Sequence, residues 1–411
     1  MVCDPAACRR GPHLGLTRTA DCTAETRKYV RGRVVHAADS DETLQKVAGW
    51  LGDCMKHHAF CHMGISGRRF DDNPQTTILP DRVIHVGSAS VVPHLLETNG
   101  KRDRYVAMSY CWEPPAEPGK HPFRLIRGNK ADLEQRLLLH ELPLTLQHAI
   151  DFTRRLGMSY IWIDRLCIVQ DDEDDWSTHA NQMCFIYERA SLTITALAAS
   201  TRDEGLYLPR QERASVRVRC ATRGRDLGGV MHIAPRLDRR AAFSRELSSS
   251  RWDTRGWTFQ ERLLSRRIVY FGRHQLFWEC QERTYTQDDI TDGSDWLLSG
   301  RDSPKHRLFA DLRVEPWVRT LSRVLPRLAT RNPSCWKGIV KDYTDRQLTE
   351  STDKNEALAG VVEALKLRLH LPKYAHGIFL AHAAPGLLWF SKGSCLRRPD
   401  VVRGERATPH P

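Results

Sequence analysis

The sequence predicts an α/β protein with a largely parallel sheet flanked by helices. Three apolar segments predict its central strands: YVAMSYCW at 105–112, YIWIDRLCIV at 160–169 and SLTITALAA at 191–199. Helical patterns separate these segments, and the alternation of strand and helix is typical of parallel sheets. The middle segment is apolar almost throughout, which indicates a strand that is covered on both faces.

The first clear helix is predicted over residues 40–62, where apolar residues recur every three or four positions. Ser40 or Asp41 can cap its first turn. Residues 1–39 show little periodicity, and we expect a loose N-terminal extension there. RVIHVG at 82–87 is predicted to be a short strand.

Two further helices are predicted between the central strands. Thr145 can cap a helix over about 145–156, which Gly157 ends. The acidic run DDEDD at 171–175 opens the second helix, because negative charge is favourable at the positive end of the helix dipole.

The segment after residue 250 predicts a hairpin and a helical end. TRGWTFQERLLS at 254–265 is a predicted short helix, and RRIVYFG and HQLFWECQE form a predicted β-hairpin around Gly272 and Arg273. These elements predict one domain over residues 40–290. We expect a helical C-terminal part over 304–395 and a disordered tail over 396–411.

The composition is that of a folded, basic chain. Of its 411 residues 41% are apolar and 27% are charged, and the formal net charge is +12. A basic surface can attract nucleic acid or anionic lipid. However, the basic residues are mostly arginines scattered between acids, and no zinc finger or RNP-type aromatic segment is found. We therefore expect a solvated basic surface, with nucleic-acid binding as a weaker alternative.

The sequence predicts a protein that stays in the cytoplasm, with the nucleus as the alternative location. The first 15 residues lack the apolar run of a secretory signal, and the best apolar stretch, 378–390, is too short to span a membrane. The twelve cysteines follow no tight repeated spacing. We therefore expect reduced thiols rather than a disulfide framework.

Three ordered blocks of sequence resemble the heterokaryon-incompatibility (HET) domain of filamentous fungi. The blocks are YVAMSYCW at 105–112, LPLTLQHAIDFTRRLGMSYIWIDRLCIVQDDEDDW at 142–176 with its continuation QMCFIYERASLTITA, and RGWTFQERLLSRRIVYFGRHQLFWEC at 255–280. Their joint occurrence in this order is more specific than any single short motif.

This resemblance implies a role in nonself recognition between fungal strains, where the domain triggers growth arrest and programmed cell death. It implies other cell-death or nonself-recognition proteins, or further copies of the chain, as partners. It also implies a distant similarity to TIR domains, which have a flavodoxin-like sheet and in some relatives cleave NAD. We predict a signalling or interaction module without a cofactor. The alternative is an enzyme of the NAD-glycohydrolase type, with NAD as its substrate.

The chain departs from the family pattern in three places. Glu113 stands where the family usually has Gly, and His179 stands where many members have Glu. Both departures weaken a catalytic interpretation. After the LLW region the chain continues with unrelated polar residues, which predicts a shortened C-terminal part.

A ligand pocket is predicted where the parallel strands end, because ligands of open α/β sheets bind beyond the carboxyl ends of the strands. Asp164 lies in an apolar run, where an unpaired carboxylate is costly, so it should be paired or functional. Glu261 could complete a two-carboxylate acid/base site or hold a ribose diol. The alternative is a structural role: Asp164 would pair with Arg165, Arg255 or a backbone amide, and Glu261 would lie among the paired charges of Arg255 and Arg262. The other pocket candidates are Ser109, Tyr110, Trp112, Arg165, Arg255 and Gln260.

Two cysteine-based hypotheses are weaker. Cys111 could act as a nucleophile with His148 or His179, although a buried thiol is the expected role. Cys54, His58 and Cys61 are spaced to share one helix face and could present three ligands to zinc. No matching fourth ligand is evident, so we expect these residues to pack in the core and predict no metal.

Overall fold

The computed structural model describes residues 14–18, 32–33, 35–111, 123–210, 216–222, 225–235, 239–288, 305, 333–348, 351–369, 373–375 and 378–379. Its helices are α1 (Asp41–His57), α2 (Lys130–Gln135), α3 (Leu144–Arg155), α4 (Asp164–Cys167), α5 (Glu173–Arg189), α6 (Arg239–Ser248), α7 (Arg251–Thr254), α8 (Gly256–Leu264), α9 (Pro333–Thr344) and α10 (Glu356–Leu369). Short 3-10 turns occur at Ala59–His62, Arg127–Asn129, Leu139–Glu141 and Ser351–Lys354.

The strands follow the same chain order. They are β1 (Leu14–Arg18), β2 (Gly32–Arg33), β3 (Arg82–His85), β4 (His94–Glu97), β5 (Val106–Ser109), β6 (Tyr160–Trp162), β7 (Leu192–Thr195), β8 (Val216–Thr222), β9 (Arg225–Pro235), β10 (Arg267–Phe271), β11 (Leu276–Cys280), β12 (Thr284–Thr286), β13 (Tyr374–Ala375) and β14 (Ile378–Phe379).

The main sheet of the described chain has eight strands in the order β12-β11-β10-β7-β5-β6-β3-β4. Its four central strands, β6, β5, β7 and β10, are parallel, and antiparallel strands extend the sheet at both edges. The central strands therefore lie in the order second, first, third, fourth along the chain, which is the order of flavodoxin-like sheets. The predicted α/β fold with a parallel centre and an added hairpin at Gly272 is confirmed.

Helices cover both faces of the main sheet. On one face, Trp50 of α1 lies 6.1 Å from Trp278 of β11, and Phe152 of α3 lies 5.1 Å from Phe271 of β10, measured between ring centroids. On the other face, Trp252 of α7 packs edge-on against Tyr270 of β10. A sheet covered on both sides explains why every residue of the four central strands is buried.

A layer of three helices, α5, α8 and α10, contains residues that are far apart in the sequence. Within the predicted C-terminal helical part, the described residues form α9 and α10 and also the antiparallel strand pair of β13 and β14, which the sequence did not predict. A second, smaller sheet has the order β2-β1-β9-β8, so Leu14–Arg18 pairs with β9 although residues 1–39 were expected to be loose. The predicted tail over 396–411 lies outside the described residues.

Helix α1 begins where the sequence predicts, with the Ser40 side chain accepting a hydrogen bond from the Thr43 amide at 3.2 Å. Asp172 caps α5 in the same way, and acidic residues fill the first turn of that helix. Thr145 is not the cap of α3, because Pro143 occupies that position and the Thr145 hydroxyl donates to the Arg202 carbonyl instead.

The predicted strand over 160–169 is wrong beyond Trp162. The chain turns into α4 after Ile163, whose carbonyl accepts hydrogen bonds from the Leu166 and Cys167 amides. The Arg82 guanidinium then donates to the Cys167 carbonyl at 2.8 Å and fixes the end of this turn. A short apolar run cannot distinguish a buried strand from a buried helical turn.

None of the helices within the described ranges is long and apolar enough to cross a lipid bilayer.

Candidate functional site

The candidate site lies where the central strands end. Ser109 is the last residue of β5 and is almost fully buried, and Thr195 is the last residue of the neighbouring strand β7. In a flavodoxin-like order, the chain leaves the first and third strands in opposite directions, which opens a crevice between their carboxyl ends. The fold therefore places Ser109 at the usual ligand position of such sheets.

Ser109 connects two side chains that are distant in sequence. Its hydroxyl donates a hydrogen bond to Oε2 of Glu261, in α8. The Trp252 indole N–H donates to the same hydroxyl oxygen at 2.7 Å. Trp252 thereby orients the serine so that its only proton faces the carboxyl group. A buried Trp–Ser–Glu chain of hydrogen bonds results.

Burial raises the pKa of the Glu261 carboxyl to about 7, from an ordinary value of 4.5. The hydrogen bond from Ser109 lowers this pKa and the negative charge of Asp164 raises it, while Arg255 and the Tyr187 hydroxyl also lower it. The burial effect dominates because water cannot solvate the charged form. A carboxyl with this pKa exchanges its proton near neutral pH, as a general acid or base requires.

Helix α8 is held in place by buried charges around Glu261. The next residue, Arg262, makes a bidentate ion pair with Glu279 of β11, and both N–O distances are 3.0 Å. The Tyr270 hydroxyl donates to the same carboxylate at 2.6 Å. Arg346 donates to the Thr258 hydroxyl of α8 at 3.4 Å and to Asp253 of α7 at 2.6 Å. These contacts fix the helix, so the Glu261 carboxyl has little freedom to move away from Ser109.

Two buried polar atoms near the crevice have no hydrogen-bond partner among the described residues. They are the Tyr110 hydroxyl and the Thr195 hydroxyl, whose residues are 5% and 0% exposed. Buried polar groups are nearly always hydrogen-bonded, because an unmade bond costs about 1–3 kcal/mol. The carboxyl ends of β5 and β7 thus offer two hydroxyls that a polar ligand could satisfy.

Asp164 and Arg255 lie at the edge of this group. The Asp164 carboxylate accepts a hydrogen bond from the Arg165 amide at 2.7 Å at the start of α4, and its charge acts on both Glu261 and Tyr110. Arg255 is half-buried, and its positive charge acts on the same two residues. Arg165 is buried. The charge of Asp164 therefore acts on Glu261, which the sequence analysis had placed in the same predicted pocket.

Other candidates have different surroundings. Cys111 is buried, and burial raises the pKa of its thiol, which disfavours a nucleophilic thiolate. His148 stacks on Tyr207, and His179 contacts Asp175, so each proposed partner of Cys111 has a role elsewhere.

Gln260 is fully buried and its amide contacts the Met183 sulfur at 4.0 Å, within the layer formed by α5, α8 and α10. Trp112 and Glu113 lie outside the described residues.

Sequence reasoning missed two members of the site. Neither Trp252, three residues before the RGWTFQER block, nor Tyr187, in the helix that follows the acidic run, was predicted to belong to the site. The Tyr187 hydroxyl donates to the Met108 carbonyl at 3.0 Å. The only sequence signal for Trp252 was its position three residues before the RGWTFQER block. Its partner Ser109 is 143 positions away, so no local pattern could connect the two residues.

The three metal-ligand candidates are found together with a fourth residue. Cys54, His58 and Cys61 lie close to Cys280, at the end of β11. They do not share one continuous helix, because α1 ends at His57 and Cys61 belongs to the following 3-10 turn. This cluster is on the opposite face of β11 from Glu279, so it is separate from the Ser109 site.

Comparison with known proteins identifies the domain that contains the Ser109 site. The family model described as "Heterokaryon incompatibility protein (HET)" matches residues 105–261, a segment that begins just before β5 and ends at Glu261. No curated protein and no solved structure matched the chain. The matched segment contains Ser109, Asp164 and Trp252 as well as Glu261. Residues 105–261 therefore carry a heterokaryon-incompatibility (HET) domain.

Proposed function

We propose that this chain acts in fungal nonself recognition and triggers growth arrest and programmed cell death as a signalling module of the cytoplasm. The match of residues 105–261 to the HET family carries this proposal. The agreement of three separate sequence blocks with the same family supports it. Its partners would be other recognition or cell-death proteins, or further copies of the chain.

Inducible expression in a filamentous fungus tests this proposal. We expect growth arrest and cell death after induction of the wild-type chain. Normal growth at a protein level verified by immunoblotting would contradict the proposal.

A pair of tryptophan variants tests whether the Ser109 site is needed. Trp252→Phe removes the indole donor to Ser109, whereas Trp257→Phe removes a similar donor whose partner is Asp353. We expect the first variant to lose the killing effect and the second to keep it.

The protonation of Glu261 favours a second candidate function, the hydrolysis of an N-glycosidic bond such as that of NAD. A carboxyl with a pKa of about 7 lies beside Ser109, at the carboxyl ends of parallel strands that also carry two unsatisfied hydroxyls. Carboxyl groups stabilise the oxocarbenium-like state of glycosidic cleavage and hydrogen-bond the sugar hydroxyls.

The reaction would need only water in addition to the substrate. Nicotinamide would leave as a neutral base with the electron pair of the broken bond. Water would form the new bond to the ribose carbon and release one proton. Glu261 would accept this proton or hold the ribose hydroxyls, and Asp164 would add negative charge beside the developing cation.

Turnover of NAD by the purified full chain distinguishes the two candidates. If the chain is a hydrolase, nicotinamide and ADP-ribose should appear together, and Glu261→Gln and Asp164→Ala should each abolish turnover. Trp257→Phe serves again as the matched control. Killing by a chain that leaves NAD intact would exclude the hydrolase and keep the signalling function.

A further inference from the structure

A buried group of three cysteines and one histidine lies outside the Ser109 site. Cys54 and His58 come from the end of α1, Cys61 from the following 3-10 turn, and Cys280 from the end of β11. The potential ligand atoms of all four side chains lie within 4.8 Å of one another, and all four residues are buried. Cys280 Sγ is 3.3 Å from Nδ1 of His58.

These separations fit a single ion. Zinc bonds to sulfur at about 2.3 Å and to nitrogen at about 2.0–2.1 Å, so tetrahedral ligands lie roughly 3.5–3.8 Å apart. Three thiols and one imidazole are also a usual ligand set for structural zinc. An iron–sulfur cluster needs more space than four ligand atoms this close together leave.

From these residues we propose that Cys54, His58, Cys61 and Cys280 bind one zinc ion that has a structural role. Four protein ligands complete a tetrahedron and leave no position for water or substrate, which separates this site from catalytic zinc. Thiolates and a neutral imidazole would be the bound forms, with the displaced thiol protons released to solvent.

Polar groups around the cluster are arranged to support anionic sulfur. The Arg267 guanidinium donates to the Cys54 sulfur at 3.1 Å, and the Arg283 amide donates to the Cys280 sulfur at 3.2 Å. Hydrogen bonds of this kind stabilise thiolates, which are the form that binds metal. Simple packing of neutral thiols would not need two N–H donors directed at sulfur.

The histidine is also oriented for binding. Its Nδ1 atom faces the sulfurs, and its Nε2 atom lies 3.4 Å from the Tyr285 hydroxyl and 3.8 Å from an Asp53 carboxylate oxygen. Metal-bound imidazoles usually direct their second nitrogen to a carboxylate or another polar group, which fixes the ring. The same arrangement is present here.

The backbone of the turn is fixed independently of any ion. Arg266 and Arg267 both donate to the Cys61 carbonyl, at 3.1 and 3.3 Å, and the Cys61 amide donates to the His58 carbonyl at 3.0 Å. The ligands are thereby held in place before binding. The ion would join α1, which precedes the HET segment, to the hairpin that follows it.

Metal analysis of the purified full chain tests the proposal. We expect about one zinc ion per chain after expression with zinc under reducing conditions, and loss of most of it in Cys280→Ser. Cys184→Ser is the matched control, because Cys184 is another buried thiol but lies in α5, outside the cluster. Zinc-free wild type, or equal zinc in wild type and Cys280→Ser, would overturn the proposal.

Two further variants separate ligand loss from misfolding. His58→Cys keeps four ligands and should retain the metal, whereas His58→Ala should lose it. Tyr285→Phe should weaken zinc binding by roughly 10-fold if the phenol orients the imidazole.

Cobalt substitution and mass spectrometry complete the test. Bound cobalt should give the visible bands of tetrahedral thiolate coordination. A disulfide within the cluster, detected by mass spectrometry of protein purified without oxidant, would show that the cysteines serve a different purpose.

Discussion

Glu261 should make the stability of the chain depend on pH in a way that one substitution removes. Burial raises the pKa of its carboxyl from 4.5 to about 7. Between these values the folded chain binds the proton more tightly than the unfolded chain. The tighter proton binding therefore stabilises the folded chain fully below about pH 4.5, and this stabilisation is lost as the pH rises through 7.

The size of the effect follows from the two pKa values. Each tenfold change in proton affinity is worth about 1.4 kcal/mol, so a change from 4.5 to about 7 corresponds to about 3 kcal/mol. Glu261→Gln preserves the shape of the side chain and cannot ionise. The unfolding free energy of this variant, relative to that of wild type, should rise by about 3 kcal/mol between about pH 4 and pH 8.

Urea unfolding of both proteins across this pH range measures the difference directly. All other titrating groups are common to the two chains and largely cancel. Glu363→Gln is a suitable control, since Glu363 is a surface carboxylate that pairs with Lys366. A stability difference between wild type and Glu261→Gln that stays constant with pH would show that folding does not change the pKa of this carboxyl, and would refute the raised pKa.

Two other predictions concern packing and charge. Asp72 pairs with Arg266 and Arg267 at 2.7 and 2.6 Å. In urea unfolding at neutral pH, Asp72→Ala should therefore lower the unfolding free energy by about 3–5 kcal/mol. A loss below about 1 kcal/mol would contradict the role of these ion pairs. Burial raises the pKa of Asp72 but the two arginines lower it to about 2, so this stabilisation should persist above pH 4 and disappear as the pH falls towards 2. A Cβ atom on Gly64 would lie 1.9 Å from the Glu188 carboxylate, so Gly64→Ala should lower the unfolding free energy by about 1–3 kcal/mol. Gly49→Ala, where a Cβ meets nothing within 4 Å, should instead stabilise α1 by about 0.5–1 kcal/mol, and equal effects of the two variants would contradict the steric argument.

Local signals predicted the parts of the fold that depend on neighbouring residues. The 3.6-residue periodicity and Ser40 predicted α1, and the acidic run before Trp176 predicted the start of α5. Gly272 predicted the hairpin of β10 and β11. Each of these features depends on residues within one or two turns of each other, so a single sequence contains the necessary information.

Long-range contacts could not be predicted in the same way. The helical turn at Asp164 depends on Arg82, which lies 85 positions before Cys167. Similarly, Cys280 joins His58 across 222 positions, and no spacing rule connects a hairpin cysteine to a helix. The sequence grouped Ser109 with Asp164 because the carboxyl ends of parallel strands meet at one edge, and it added Glu261 and Gln260 from the predicted helix that follows. The same rule gives no information about which side of α8 faces that edge, and Gln260 was therefore included in the pocket.

The ends of the HET match have a practical consequence for the construction of chimeric proteins. The match stops at residue 261, inside α8 and before β10, and it starts after β3. Cutting there would remove the strand that pairs with β7 and expose a row of unpaired backbone groups, which promotes aggregation. Chimeric proteins should therefore be joined before residue 41 and after residue 286, so that the eight-stranded sheet, α1 and the partners of Asp72 come from one parent.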